Sequence, residues 1–323
     1  MVLDALRQDL ELRIEVISTK GDRIVDVALS KIGDKGVFVT EIEQALRDGR
    51  IDIAIHSAKD LPSQLMAGLI LGAFPQRADP RDMLVLPQLR GFALDLQRVT
   101  EPSLDPRGFV PQGARIGTSS LRRASQLLAL RPDLQISEMR GNIDTRLRKL
   151  AAGQHDAIVL AAAGLQRLGL IPHDVSNTPQ PFTSEGAAFI GLPLSIDIML
   201  PAAAQGALGL ECRADDAPLI ALLRPLNHAI TQACVTAERA FLRTLEGGCQ
   251  VPVAAYATAK KGRLHLRGLV ASLDGAAVVR GEYKGVVAHA EKLGQALANQ
   301  LLADGASDIT NLAGWRGKNS HNR

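Results

Sequence analysis

Strand and helix signals alternate through the first two thirds of this 323-residue chain, and that alternation restricts its fold more than any other feature. ELRIEVIS (11–18) alternates charged and apolar residues like a half-buried strand, and IDIAI (51–55) reads as a short buried one. TEIEQALRDG (40–49) between them has a helical apolar stripe closed by glycine, and GLILGAF (68–74) is a further apolar strand. A second series runs RIGTS (115–119), SLRRASQLLALR (120–131), LQISEMRG (134–141), NIDTRLRKLAAG (142–153) and DAIVLAAAGLQRLG (156–169). Strands separated by helices of this length imply a mostly parallel α/β sheet, with ligands gathered at the carboxyl ends of its strands. Residues 86–114 and 171–192, rich in Pro, Gly and Ser, read as linker or loop. From about 226 the style changes to α+β. A long helix (230–248) precedes three β-like runs (252–259, 263–273, 277–285), a terminal helix (288–305) and a frayed tail from 314. The division is 1–111 with 201–224, then 112–200, then 225–323.

Composition removes several classes. At 46% hydrophobic and 22% charged the chain is neither disordered nor low-complexity. Aromatics make up 3%, which argues against single-stranded nucleic-acid binding by base stacking. No apolar run reaches the ~18 residues of a membrane helix, and the charged start MVLDALRQDLELR lacks a secretory h-region. Cys212, Cys234 and Cys249 offer neither a disulfide framework nor metal-ligand spacing. The expectation is a cytoplasmic protein without metal, membrane or nucleic-acid partner.

The net charge of +3 hides an uneven distribution. Residues 112–170 hold nine basic residues, eight of them Arg, against four acidic ones. Arginine's planar fork suits carboxylates and phosphates, so an oxyanion site competes here with a solvated helical face.

Four constellations are able to carry chemistry. HSAKDLP (56–62) puts His56, Ser57, Lys59 and Asp60 at the end of a strand. Lys59 beside Asp60 is suited to holding an acidic substrate while the carboxylate moves a proton; a solvated ion pair on a surface turn is the bland alternative. His56 alone reads as structural. GTSSLRR (117–123) opens a helix with hydroxyls and backbone N–H groups, and places Arg122 and Arg123 where the helix dipole disfavours cations by roughly 0.3–1 kcal/mol each. A bound anion explains that cost better than a merely capped helix does. MRGNIDTRLRKL (139–150) puts Asn142 and Arg146 on one helix face and Arg140 just after a strand, while Arg148 and Lys149 point to solvent. In LEGGCQVPV (245–253), Cys249 occupies a Gly-Gly turn where covalent chemistry is conceivable, although no His adjoins it. Cys212 and Cys234 read as buried.

Taken in order, TKGD (19–22), KGVFVTEIEQAL (35–46), HSAKDLP, DPRD (79–82), GTSSLRR, RGNIDTRL (140–147), DAIVLAAAGLQRLGL (156–170), LPAAAQGALGLECR (200–213), TAERAFL (236–242) and LEGGCQVPV resemble the porphobilinogen deaminase (hydroxymethylbilane synthase) family over nearly the whole chain. The resemblance implies two α/β domains around a cleft, like type II periplasmic binding proteins, plus a C-terminal α+β domain. It implies a monomeric transferase of haem and tetrapyrrole biosynthesis that condenses four porphobilinogen molecules head to tail with loss of ammonia. It makes Cys249 the thioether anchor of a dipyrromethane cofactor and Asp60, with Lys59, the catalytic group. Ser57, Thr118, Ser120, Arg122, Arg123, Asn142 and Arg146 match cofactor-binding positions, with Lys59 also facing the cofactor's acid groups. Arg140 and Arg167 match arginines that contact substrate or the growing chain. Lys31, Lys35 and Phe38 fall on what would be a mobile loop over the site. Because every pyrrole ring brings an acetate and a propionate, an arginine-rich cleft gains a chemical cause.

Two departures stand out. The family's opening strand and its Arg-x-Ser-x-Leu-Ala helix have no match; the chain opens partway along that helix, and Met1 is expected to be a misassigned start rather than the mark of a truncated, weakly active enzyme. Ala204 stands where the family usually has Gly before Gln-Gly. The rival reading from another class is a non-catalytic anion-binding or sensor protein on the same fold, which leaves Lys59–Asp60 and Cys249 unexplained. A nucleic-acid binder is a distant third.

Overall fold

The computed structural model describes residues 11–19, 39–88, 110–245 and 252–312. Its strands form three sheets. The first has order β1-β9-β2, built from β1 (Ala54–Ser57), β2 (Leu69–Ala73) and β9 (Leu208–Arg213), antiparallel throughout. The second has order β5-β4-β6-β3-β8-β7, from β3 (Asp82–Pro87), β4 (Arg115–Gly117), β5 (Gln135–Ser137), β6 (Ala157–Ala161), β7 (Gln180–Ser184) and β8 (Ala187–Pro193). The third joins β10 (Val253–Lys260), β11 (Arg263–Ala271) and β12 (Val278–Val286) as an antiparallel meander. Two α/β lobes and a C-terminal α+β unit are the expected class.

Several details differ from the sequence reading. Only β5-β4-β6 is parallel; β3, β7 and β8 run antiparallel to their neighbours, so the sheets are mixed rather than mostly parallel. The second sheet starts at Asp82 and not near 112, because the apolar run of β3 pairs with β6 and β8. The Pro/Gly-rich break at 86–114 therefore interrupts a lobe instead of separating two. The stretch 171–192, read as loop, holds the β7–β8 hairpin, whose two-residue turn has positive φ at Glu185 and Gly186. Residues 11–19 carry no regular structure, and Ile14 and Val16 are exposed, so alternation alone does not make a strand here. The tail from 314 lies outside the described residues.

Burial follows from the sheets. Alternate residues of β3 feed opposite cores, Met83 and Val85 on one face and Leu84 and Leu86 on the other. A strand covered on both faces reads as a continuous apolar run for that reason. Helices α2 (Leu121–Leu130), α3 (Ile143–Ala151) and α4 (Ala162–Arg167) each follow a strand of the second sheet, and α1 (Thr40–Arg47) buries Ala45 and Leu46 in the first lobe. Short α5 (Ala217–Leu223) leads to α6 (Ala229–Thr244), which packs with α7 (Ala290–Leu301) over the third sheet around Phe241, Leu266 and Leu297.

The chain crosses between the first two sheets twice, through residues 74–81 and 194–207, and the crossings are tied to the third unit. Glu238 on α6 is fully buried and grips Arg77 of the first crossing with both oxygens (2.6 and 3.1 Å). The same carboxylate accepts the backbone N–H of Ala204 on the second crossing (2.5 Å) and of Ala257 on β10 (2.7 Å). Arg77 also lies 5.0 Å over the Tyr256 ring.

Ala204 and Gly206 both have positive φ, at 62° and 86°. A Cβ on Gly206 would lie 2.6 Å from the Ala78 carbonyl oxygen, a backbone atom with little room to yield. Gly206→Ala is therefore expected to cost about 2–4 kcal/mol, combining left-handed strain with overpacking. Ala204→Gly relieves about 1–2 kcal/mol of strain but gives up a buried methyl and unfolded-state entropy of similar size, so it should leave stability within ~1 kcal/mol of the parent. Denaturant titration of both variants checks the asymmetry.

Candidate active site

Asp60 and Lys59 stand in a single 3-10 turn (Ala58–Asp60) that caps the carboxyl end of β1. The apolar half of the motif, Ala58 and Leu61, is buried and fixes the turn to the first lobe, which leaves the two charged side chains exposed. The Asp60 carboxylate makes no hydrogen bond among the described residues. Its charge acts on Arg123, Arg146 and Arg167, which places the second lobe's cations around it. Lys59 retains exposed surface as a residue, yet protein closely surrounds its amine. Desolvation lowers its amine to about 8, against the opposing pull of Asp60. The Lys59 Nζ donates to Gln205 Oε1 over a long 3.4 Å.

His56, two residues before the turn's start, is buried with its Nε2 2.9 Å from Glu211 Oε2 on β9. It is a satisfied core histidine. Ser57 is half-buried at the start of the turn and makes no side-chain cap.

Across the cleft, Ser120 occupies the N-cap of α2 without a side-chain capping bond, and Thr118 is buried beside it. Ser119 is spent on the loop itself, its hydroxyl donating to the Met139 carbonyl. Arg122 and Arg123 are both buried, and their forks converge on Asp82 instead of opening into the cleft. Arg122 Nη1 lies 2.6 Å from Asp82 Oδ2, and Arg123 Nε lies 2.9 Å from Oδ1. Arg122 also donates to the Leu200 carbonyl and Arg123 to that of Val159. Burial works against the Asp82 carboxylate, yet the two guanidiniums hold it well below the usual carboxylate range. The dipole-opposed arginines thus have an internal anion as partner, one that the sequence reading left unnamed although DPRD contains it.

The remaining arginines are more open. Arg140 donates Nε to Glu138 (2.7 Å), while its buried Nη2 has no partner among the described residues. Arg146 donates Nε to the Gly141 carbonyl (2.8 Å), and Arg167 donates Nη2 to the Gly206 carbonyl on the second crossing (2.9 Å). Burial and the nearby Arg123 depress Arg146 below the usual guanidinium value. Asn142 is the N-cap of α3, its Oδ1 accepting from Thr145 N–H at 2.9 Å. Cys249, Lys31, Lys35 and Phe38 lie outside the described residues. Cys212 and Cys234 are buried, and burial pushes the Cys234 thiol up to about 11, too high for a nucleophile at neutral pH.

Among the described residues the cleft therefore presents one free carboxylate among cations that lack enough anions. It fits a ligand with several carboxylates: the orphaned Arg140 Nη2, the uncapped Ser120 and the depressed Arg146 are what such a ligand would satisfy. Among the described residues no helix is long and apolar enough to cross a membrane.

Comparison with known proteins agrees with this chemistry. Residues 1–221 match the family model for porphobilinogen deaminase, dipyromethane cofactor binding domain, and residues 232–303 match that for porphobilinogen deaminase, C-terminal domain. The chain is 50% identical to the porphobilinogen deaminase of Syntrophotalea carbinolica over 95% of its own length and 88% of the relative's. It is 46% identical to that of Carboxydothermus hydrogenoformans (95% and 89%) and 47% identical to that of Neisseria meningitidis (95% and 89%). Among solved structures it resembles the Bordetella pertussis BvgS periplasmic VFT2 domain at a TM-score of 0.32, with 16% identity over 57% of this chain and 64% of that one.

Proposed function

The chain belongs to the porphobilinogen deaminase family, and on that premise we propose how its own residues divide the reaction. The activity is that of a hydroxymethylbilane synthase: porphobilinogen units are joined head to tail with release of ammonia, and the linear tetrapyrrole is freed by hydrolysis. The dipyrromethane cofactor, when bound, supplies the ring carbon on which the first unit is joined.

Asp60 is the group that acts on the reacting atoms. Its carboxylate, which makes no hydrogen bond among the described residues, is able to accept a hydrogen bond from a pyrrole N–H and to stabilise the cationic pyrrole left as ammonia departs. Lys59 and Ser57 bind acid side chains on the first-lobe wall. Thr118, Ser120 and Arg146 do so on the opposite wall, with Arg122 and Arg123 behind them holding the start of α2 in register through Asp82. Arg140 and Arg167 receive the acetate and propionate groups of incoming or growing chain, and Asn142 serves as a helix cap beside them. Cys249 carries the cofactor by a thioether, Lys31, Lys35 and Phe38 cover the site, and the enzyme acts as a cytoplasmic monomer. The observation that carries this reading is the free Asp60 carboxylate amid undercompensated arginines. A sensor protein needs the cations but not that carboxylate.

Intact mass spectrometry tests the covalent part. Purified protein is expected to exceed its sequence mass by one dipyrromethane unit, and Cys249→Ala should remove the excess. Folded wild-type protein of unmodified mass would sink the assignment.

A further inference from the structure

We propose that Gln205 is a positioning residue for Lys59, a neutral spacer that keeps the Lys59 ammonium from pairing with Asp82. The inference rests on the site reading above and concerns what sets the charge of one of its members. Gln205 is 1% exposed and sits on the second crossing, between the flanking positive-φ residues Ala204 and Gly206. Its Nε2 donates to the Pro80 carbonyl (2.7 Å) and to Asp82 Oδ1 (3.0 Å), and its Oε1 accepts from Lys59 Nζ. The main chain is fixed as well, with the Gln205 carbonyl accepting from Arg77 Nε (2.7 Å) and its N–H donating to Ala202 (3.0 Å). The amide therefore stands between a cation on the first lobe and an anion on the second, satisfying both without adding charge.

An amide suits this post because its two ends are a donor and an acceptor and neither is ionised. A glutamate in the same place would pair with Lys59 and repel Asp82. A smaller side chain would let Lys59 approach Asp82, spending the ammonium on a structural carboxylate and loosening the hold of that carboxylate on Arg122 and Arg123. With Gln205 in place, Asp82 is saturated by the two arginines, and the Lys59 charge stays directed at Asp60 and at an acidic ligand. The charged groups acting on Lys59 are Asp60 in its own turn, Asp82 at the start of β3, and Arg122 and Arg123 on α2. Two are anions and two are cations, so the near balance is sensitive to one added charge.

The test is the titration of Lys59 itself, followed by competitive acetic-anhydride labelling of the intact protein with peptide mass spectrometry as readout. Lys59 of the wild type is expected to titrate near 8. Gln205→Glu should move it up by about one to three pH units, as a carboxylate comes within contact distance. Gln205→Met, which fills the space but replaces the amide oxygen with a far weaker sulfur acceptor, should move it below the wild-type value. Opposite displacements support the spacer. No displacement in either variant, or displacement of both in one direction, overturns it. If Gln205→Glu fails to fold, the Met variant decides by its direction alone. Labelling reads Lys59 whether or not a tetrapyrrole is made, so a wrong spacer and a wrong reaction give different results; product formation in the same samples reports on the reaction.

Discussion

Asp60→Asn is expected to leave the protein folded and carrying its cofactor while turnover falls by about 10²–10⁴-fold, the span that a positioned acid–base group contributes. The carboxylate forms no hydrogen bond within the described residues and is exposed, so its loss removes no structural contact. Stability should stay within about 0.5 kcal/mol of the parent, as for other surface substitutions. What disappears is the negative charge that acts on Arg146 and Arg167 and adds to that of Asp82 on Arg123, and with it the means of stabilising a cationic pyrrole. Asn preserves shape and a hydrogen-bond acceptor, so the variant separates charge from geometry. Single-turnover assays on protein whose mass confirms the cofactor give the measurement. Rates near those of the parent would take Asp60 out of the catalytic role.

Asp82→Asn should act in the opposite manner, through stability first. Asp82 is wholly buried, and its substitution leaves two buried guanidiniums facing a neutral amide. Stranding a charge in this way costs about 3–5 kcal/mol. The melting temperature of the second lobe should fall, and activity with it. The pH dependence has a definite sign. The Asp82 carboxyl is depressed in the folded protein, so its contribution is complete above the unfolded carboxylate value of ~4 and is lost as pH falls below it. Acid unfolding of the parent below that point should therefore be steeper than that of Asp82→Asn. Equal acid slopes and a melting temperature within a degree or two of the parent's would show that the pair contributes nothing net.

The contrast between these two aspartates marks how far the sequence could be read. Asp60 was visible because it follows an apolar strand and adjoins Lys59, both local facts. Asp82 was printed in DPRD, but nothing local reveals that it meets Arg122 and Arg123 forty residues on. The arginines were rightly singled out as misplaced against a helix dipole; their nearest anion proved to be internal. Gln205 stands in LPAAAQGALGLECR, but nothing local reveals its partners Pro80, Asp82 and Lys59, since they come together only where the two crossings meet. Elements with a strong period, such as α2, α3 and the β10–β12 meander, lay within a few residues of their expected bounds. The β7–β8 hairpin escapes the sequence because Pro and Gly read as breakers, whereas Pro181 and Pro193 sit in the outer strand and at a strand's end. Strand direction was misjudged for a topological reason: alternation of strand and helix suggests crossovers, but β9 returns from far away and runs antiparallel to both neighbours.

That late return governs the order in which a nascent chain can become structured. The central strand of the first sheet, β9, is made only after the whole of the second sheet, which is complete at Pro193. On a ribosome the second lobe has all its strands while β1 and β2 still await the strand that joins them. The inserted lobe is thus free to consolidate first, and the outer lobe closes around a long-range pairing of the slow, high-contact-order kind. A released chain truncated between residues 194 and 207 would leave the arginine wall built and the Lys59–Asp60 turn without its support, a species recognisable by protease resistance confined to the inserted lobe.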